Sequence, residues 1–504
     1  MGTTRLVVIP AEIIGTINPN IYGHFAEHLG SCIYEGIWVG EDSPIPNRDG
    51  IRLDVVDALR RIRPPVIRWP GGCFADDYHW RDGIGPREDR PRTLNIWWDS
   101  IESNQFGTHE FVRFCRMIGA EPYICGNVGS GSPRELRDWV EYCNYPGGTA
   151  LSDERIANGD RQPLDVRYWG VGNESWGCGG AFTPEEYAAA YRRFATYLRP
   201  LQRDPLTLIA CGPLANDRDY SRRFLEQIVG TCPPQHRLPF QGYAAHYYCG
   251  TAGTATEYTH GQWYHLLAKS QEMEPLVVEQ RAILDSYDPQ RKVGLIVDEW
   301  GTWHPVEAGT NPRHLFQQNT QRDALVAALT LDIFNRHADK VIMANIAQTI
   351  NVLQSMVLTD GARMLTTPTY HVYAMYAAHQ GGQAVRALVE GETIDWVDQD
   401  GDDGAAHKGS LPQVASSASI RDGNLTVSLV NTHAAEPVEV SLALYGADGT
   451  IATRTTLASD DIHAHNTFDE PTRVAPRVEH PDLAADGATV TLPPASVTTL
   501  TIAL

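Results

Sequence analysis

Two carboxylates stand out by their surroundings. Glu174 follows the run Arg167-Tyr168-Trp169-Gly170-Val171 and is set in Gly172-Asn173-Glu174-Ser175-Trp176-Gly177-Cys178-Gly179-Gly180. Glu299 follows Gly294-Leu295-Ile296-Val297 and continues as Asp298-Glu299-Trp300-Gly301-Thr302-Trp303. A single Glu after an apolar run is ordinarily a solvated loop residue or a helix cap. Two framed alike can work as a pair. A glycosidic oxygen leaves poorly unless protonated, and the oxocarbenium-like transition state needs a carboxylate beneath the anomeric carbon, so one Glu would be the acid and the other the nucleophile or base. Carboxyl groups ~5–5.5 Å apart give a covalent intermediate and retention, whereas ~6.5–9.5 Å leaves room for a water and inverts. The sequence leaves both routes open. Asn173, beside the first Glu, adds an amide able to bind a sugar hydroxyl next to the scissile bond.

Such a pair needs a scaffold that presents strand ends on one side. From about residue 20 to residue 380 the chain repeats a short apolar run, a polar or Gly-rich loop and a stretch of helical periodicity, the pattern of parallel βα units. The strands are expected at Ile21–Phe25, Val66–Trp69, Pro122–Cys125, Val166–Val171, Leu206–Cys211, Gly242–Tyr247, Gly294–Val297 and Val341–Asn345. Eight such strands predict an α/β fold, a closed (β/α)8 TIM barrel, whose active site lies at the carboxyl ends of its strands. Glu174 ends the fourth strand and Glu299 the seventh, which places them across the barrel mouth. Ser132-Pro133-Arg134-Glu135 and Thr183-Pro184-Glu185-Glu186 read as helix starts, each with a capping hydroxyl three residues before a Glu. Beyond about residue 381 alternation replaces the helical pattern, as in Leu425–Leu429 and Val438–Leu442, and predicts a carboxy-terminal β-sandwich. The expected organisation is therefore residues 19–380 as barrel and 381–504 as sandwich, with the opening strand Arg5–Ile9, in residues 1–18, added to the latter. The acidic stretch Asp395–Gly409 reads as a surface loop.

Bulk properties narrow the partners. The chain has 504 residues, 42% of them hydrophobic and 20% charged, with a formal net charge of -21. Nucleic acid and anionic membranes, which need clustered Lys and Arg, are excluded as partners, and a neutral ligand fits. No signal peptide or apolar run of spanning length is evident, so the expected location is cytoplasmic. Nine cysteines without a regular framework read mostly as buried thiols.

The two glutamate segments closely resemble the signature segments of the family 51 α-L-arabinofuranosidases. The likeness extends to Gly23-His24-Phe25-Ala26-Glu27-His28, to Arg68-Trp69-Pro70-Gly71-Gly72-Cys73-Phe74 with Asp82-Gly83-Ile84-Gly85-Pro86, and to Ala344-Asn345-Ile346-Ala347-Gln348 with Asn351-Val352-Leu353-Gln354. The resemblance implies a retaining, exo-acting α-L-arabinofuranosidase with a jelly-roll-like sandwich and often a hexamer. It makes Glu174 the acid/base and Glu299 the nucleophile. It implies Glu27, Asn173, His246, Tyr248 and Gln348 as sugar ligands, Arg68 as the cation holding the nucleophile ionised, and Cys73 as a sugar contact. Trp98 and Trp300, of the four tryptophans near the strand ends, are taken as further ring contacts, and Asn345 as a support of the barrel. No cofactor and no metal are expected. The partners implied are arabino-oligosaccharides or arabinoxylan fragments, and the pathway is arabinan degradation and L-arabinose metabolism.

Three other readings compete. The same scaffold could act on another furanoside such as a galactofuranoside, or cleave a β-glucan. Glu27, Asp298, Glu299 and His246 could instead hold a divalent cation, although the carboxylates follow strands one and seven and the Asn-Glu pair would go unexplained. A non-catalytic sugar-binding protein would have no need of both an acid and an opposed nucleophile.

Overall fold

The structure, a computed structural model, describes residues 4–200, 205–231, 238–250, 252–401 and 403–504; Cys232 lies outside them. Eight parallel strands close into a barrel: Gly23–Phe25, Val66–Trp69, Glu121–Gly126, Tyr168–Val171, Thr207–Leu214, Gly242–Cys249, Gly294–Thr302 and Val341–Ala347. They are called the first to eighth barrel strands below. Val66, Tyr123, Ile209, Ala244, Ile296 and Met343 form a buried cluster drawn from six of these strands, so the barrel is a packed core and not a pore.

The helix starts read from the sequence are built as the residue types dictate. The Ser132 hydroxyl accepts from the Glu135 N–H ahead of helix Pro133–Asn144. Thr183 does the same for Glu186, whose carboxylate accepts from the Thr183 N–H in return, ahead of helix Pro184–Ala195. The first strand is shorter than expected. Ile21 and Tyr22 belong to a 3-10 turn, Pro19–Tyr22, because the Asn18 side chain caps it by accepting from the Asn20 N–H. The sixth and seventh strands run longer, which brings Tyr248 and Glu299 onto strand backbone beside His246 and off the loops.

Among the described residues, ten further strands form a second sheet, and the others pair in two-stranded ribbons. Thr4–Thr16 enters the sheet, pairing antiparallel with Gln383–Glu390 and parallel with Val438–Leu444. Alternate residues such as Leu6, Val8, Leu425, Val427, Leu429, Val440, Leu442, Leu500 and Ile502 meet in a second buried cluster. Helix Gln321–Arg336 is buried on nearly every side because it lies between the barrel and this sheet. Its Asp332 accepts from the hydroxyls of Ser417 and Ser428 across that boundary, at 2.7 and 2.5 Å.

The acidic stretch differs from its expected loop. Thr393–Asp398 and His407–Pro412 pair as an antiparallel hairpin. A barrel helix, His260–Ser270, supplies what the polar strands lack: His265 stacks on Trp396 and approaches Asp398 at 2.7 Å. Among the described residues no helix is long and apolar enough to cross a membrane.

Candidate active site

Strand alternation and one bulge aim the key side chains. Along the sixth and seventh strands Ala245 pairs with Val297 and His246 with Glu299, so Asp298 is an extra residue. The bulge lets Asp298 and Glu299 both turn inward. Asp298 accepts from the Tyr123 hydroxyl at 2.6 Å and from Asn345 Nδ2 at 3.0 Å, and Arg68 Nε lies 3.6 Å away. Asn345 thus serves the barrel interior.

Glu299 is 5% exposed and held at both oxygens. Arg68 Nη1 donates to Oε1 at 2.7 Å and the Tyr248 hydroxyl donates to Oε2 at 2.8 Å. Burial pushes its carboxyl pKa up, but the His246 and Arg68 charges with these hydrogen bonds outweigh it and hold the group below the ordinary carboxylate value. Arg68 itself is buried, packs over the Phe25 ring at 4.6 Å and donates to Asn173 Oδ1 at 2.6 Å, so one guanidinium orients both the carboxylate and the amide.

Glu174 sits just past the fourth strand in a tight Gly-rich turn with φ +34°, a left-handed conformation that a residue with a side chain adopts only when its neighbours enforce it. His246 Nδ1 lies 3.0 Å from Glu174 Oε1 and 3.6 Å from Glu299 Oε2. Burial lowers the His246 pKa, yet the facing Glu299 and Glu174 raise it further than burial depresses it. The imidazole is therefore biased toward its charged form between the two carboxylates. One oxygen of Glu174 and one of Glu299 lie within 4.8 Å of each other.

Glu27 lines the other wall. Its Oε1 accepts from the Phe74 N–H and Trp98 Nε1, and its Oε2 from Gln348 Nε2 at 3.0 Å. Burial and the charge of Glu299 raise its pKa to about 7. The other amide atom of Gln348, Oε1, is buried with no protein partner. Gly72 keeps the space between the carboxylates open, since a Cβ there would come 3.2 Å from Glu299 and 3.3 Å from Glu27.

Glu27, Arg68, Asn173, Glu174, His246, Tyr248, Glu299, Gln348 and Trp98 are thus gathered at the barrel mouth. One expected contact is corrected. Trp300 follows the inward Glu299, so alternation turns it outward; it is 1% exposed and meets the Phe334 ring edge-on at 5.6 Å. Trp300→Ala is expected to cost about 3–5 kcal/mol in thermal or denaturant unfolding, and Trp300→Phe to leave KM within about twofold, because the ring fills a cavity away from the mouth. Cys73 is disulfide-bonded to Cys178 across a Cα separation of 5.3 Å, and its sulfur lies within 4.8 Å of a Glu174 oxygen, so it too stands at the mouth. The six other described cysteines are buried thiols.

Two groups could bring three metal-ligand atoms together among the described residues: Glu174, His246 and Glu299, and Cys73, Glu174 and Cys178. In the first, Arg68 already binds Glu299 and the histidine is biased toward carrying a proton; in the second, the sulfurs are bonded to each other. The set Glu27, Asp298, Glu299 and His246 does not converge, because Asp298 is turned to Tyr123 and Asn345. Missed by sequence reasoning were Tyr123, which with Asp298 braces Arg68 from below, and Asp76, which accepts from the Asn173 N–H. An acidic residue three positions past Cys73 in a family-like stretch was the available signal for Asp76.

A paired acid and anionic carboxylate at the carboxyl end of a parallel barrel defines a barrel glycoside hydrolase. Residues 58–260 match the α-L-arabinofuranosidase 1 domain and residues 298–496 the α-L-arabinofuranosidase C-terminal domain. An intracellular exo-α-L-arabinofuranosidase of Bacteroides ovatus is 44% identical over 468 residues, covering 91% of this chain and 88% of that one. The family 51 arabinofuranosidase structure from Xanthomonas axonopodis pv. citri superposes with a TM-score of 0.92 at 40% identity over 99% of both chains. A Thermotoga maritima α-L-arabinofuranosidase, solved as an arabinose complex, gives 0.87 at 30% identity over the whole of both. The chain belongs to the α-L-arabinofuranosidases of glycoside hydrolase family 51.

Arg68 carries a prediction for pH. Arg68→Met removes the cation that favours ionised Glu299, so the carboxyl pKa rises. An anion is needed for attack and is lost as pH falls through that pKa, so the acidic limb of the kcat/KM profile is expected to move upward by roughly 1–3 pH units.

Proposed function

We propose that this enzyme removes terminal non-reducing α-L-arabinofuranosyl residues by a retaining double displacement. The observation that carries the stereochemical reading is that one oxygen of Glu174 and one of Glu299 lie within 4.8 Å of each other, which favours the closer-set carboxyl pair of retaining enzymes over the ~6.5–9.5 Å of inverting ones. Glu299 attacks the anomeric carbon while Glu174 protonates the leaving oxygen, giving a β-linked arabinosyl-enzyme. Glu174 then takes a proton from water, which attacks the same carbon and restores the α configuration. Arg68 and Tyr248 keep the nucleophile ionised and fixed in plane. His246, between the two carboxylates, moderates their mutual repulsion as charge moves from one to the other.

The furanose ring occupies the space bounded by Glu27, Gln348, Asn173 and Trp98. The buried, unpartnered Gln348 Oε1 is suited to accept from a sugar hydroxyl, and Glu27 to accept from a second. Removal of single terminal residues is supported by the exo-acting relative from Bacteroides ovatus. The natural substrates are arabino-oligosaccharides or arabinoxylan fragments, consumed in the cytoplasm on the way to L-arabinose; relatives from Bacteroides ovatus and Streptomyces lividans are named intracellular. Residues 19–380 act as the catalytic unit, with 1–18 and 381–504 as the supporting sandwich, and the assembly is a hexamer. Proton NMR of the first product from an aryl α-L-arabinofuranoside tests the central step. α-Arabinose appearing before mutarotation is expected, and β-arabinose would overturn it. A panel including an aryl β-D-galactofuranoside tests the sugar.

A further inference from the structure

The 3-10 turn Cys73–Asp77, which follows the second barrel strand, reaches over the end of the third strand to the turn bearing Glu174. It holds that segment at two points. Cys73 is bonded to Cys178 at one end. At the other, Asp76 Oδ2 accepts from the Asn173 N–H at 2.7 Å. The other oxygen, Oδ1, accepts from the N–H groups of Val128 and Gly129, past the third strand, at 2.6 and 2.9 Å. One carboxylate, 3% exposed, therefore ties together the loops after three consecutive barrel strands. All three of its described partners are donors, so it works only as an acceptor at both oxygens.

We infer that Asp76 is a positioning residue for the general acid: its grip on the Asn173 N–H sets where the Glu174 carboxyl meets the leaving oxygen. The inference rests on Glu174 being the acid/base. The left-handed φ of Glu174 makes the segment dependent on outside support, since the turn is not the one its backbone favours. The packing behind it is equally exacting: a Cβ at Gly179 would stand 1.6 Å from Asn173 O and 2.7 Å from Asp76 Oδ2. Asp76→Asn is nearly isosteric but has a donor on one side. Its carbonyl oxygen would stay with the two N–H groups of Val128 and Gly129, and its NH2 would then oppose the Asn173 N–H. The segment must move, and with it Glu174.

Loss of acid placement has a signature that a general loss of stability lacks. A substrate whose leaving group departs unaided does not need the acid, and one with a sugar leaving group does. We compare kcat/KM, which reports the first bond-breaking step, on 4-nitrophenyl α-L-arabinofuranoside and on an arabinofuranosyl disaccharide. Asp76→Asn is expected to raise the ratio of the two by about tenfold or more, a share of the 10²–10⁴-fold that general acid catalysis supplies. Gly179→Ala, which displaces the same segment from the opposite side, is expected to raise it in the same direction. Glu174→Ala is the reference. If it does not raise the ratio, the acid assignment itself fails. If it does and both neighbouring variants lower the two rates equally, or leave them unchanged, Asp76 has no positioning role. Failure of both variants to give a cooperative melting transition would also overturn the inference, since a local displacement leaves the barrel intact.

Discussion

Glu299→Ala is expected to reduce turnover on every arabinofuranoside by on the order of five orders of magnitude, as deletion of a nucleophile does when the remaining groups act as one unit with it. The site explains why no neighbour substitutes. Arg68 and Tyr248 are both donors aimed at Glu299, and without it they face a void with nothing to stabilise at the anomeric centre. Glu27 is another buried carboxylate at the mouth, but three donors hold it and burial shifts it toward the protonated form. The loss is therefore expected to be independent of the leaving group, which a steady-state comparison of aryl and disaccharide substrates measures.

Glu174→Ala should behave differently. On an arabinofuranosyl disaccharide the loss is expected to be roughly 10²–10⁴-fold, the worth of a placed general acid, while kcat/KM on a nitrophenyl substrate falls far less. The covalent intermediate then accumulates, because water is no longer deprotonated, so kcat and KM on the activated substrate fall together. A pre-steady-state burst of nitrophenolate in this variant is the expected observation. A uniform loss across leaving groups would place Glu174 outside the proton transfer.

The barrel was legible because its signal is local. Val66–Trp69 has the bounds read from its apolar run, and the Ser132 and Thr183 caps follow from side-chain chemistry three residues long. The departures occur where distant contacts override local pattern. The polar strands Thr393–Asp398 and His407–Pro412 pair because a barrel helix brings His265 to Trp396 and Asp398, partners about 130 positions away. Trp300 was misread because a bulge at Asp298 sets which neighbour faces inward, and no apolar pattern records a bulge. The Cys73–Cys178 bond spans 105 positions between the loops after strands two and four, which meet only because both strands pair with the third. Asp76 and Tyr123 were overlooked, and Asp298 was considered only as a metal ligand, for the same reason: each is a buried polar group whose partners lie on or beyond other strands. The residues gathered at the barrel mouth were readable from family-like motifs. Those that hold them in place were not.

The division of labour between Glu174 and Glu299 is tested most directly by the configuration of the glycosyl azide each variant makes. In Glu174→Ala, azide intercepts the β-linked arabinosyl-enzyme from the free face, so two inversions give α-L-arabinofuranosyl azide with a faster kcat. In Glu299→Ala, azide enters the space the nucleophile vacated and displaces an activated leaving group once, giving the β azide. The account predicts α from the first and β from the second. The opposite assignment would exchange the two roles, and the absence of azide products from both variants would contradict the double displacement.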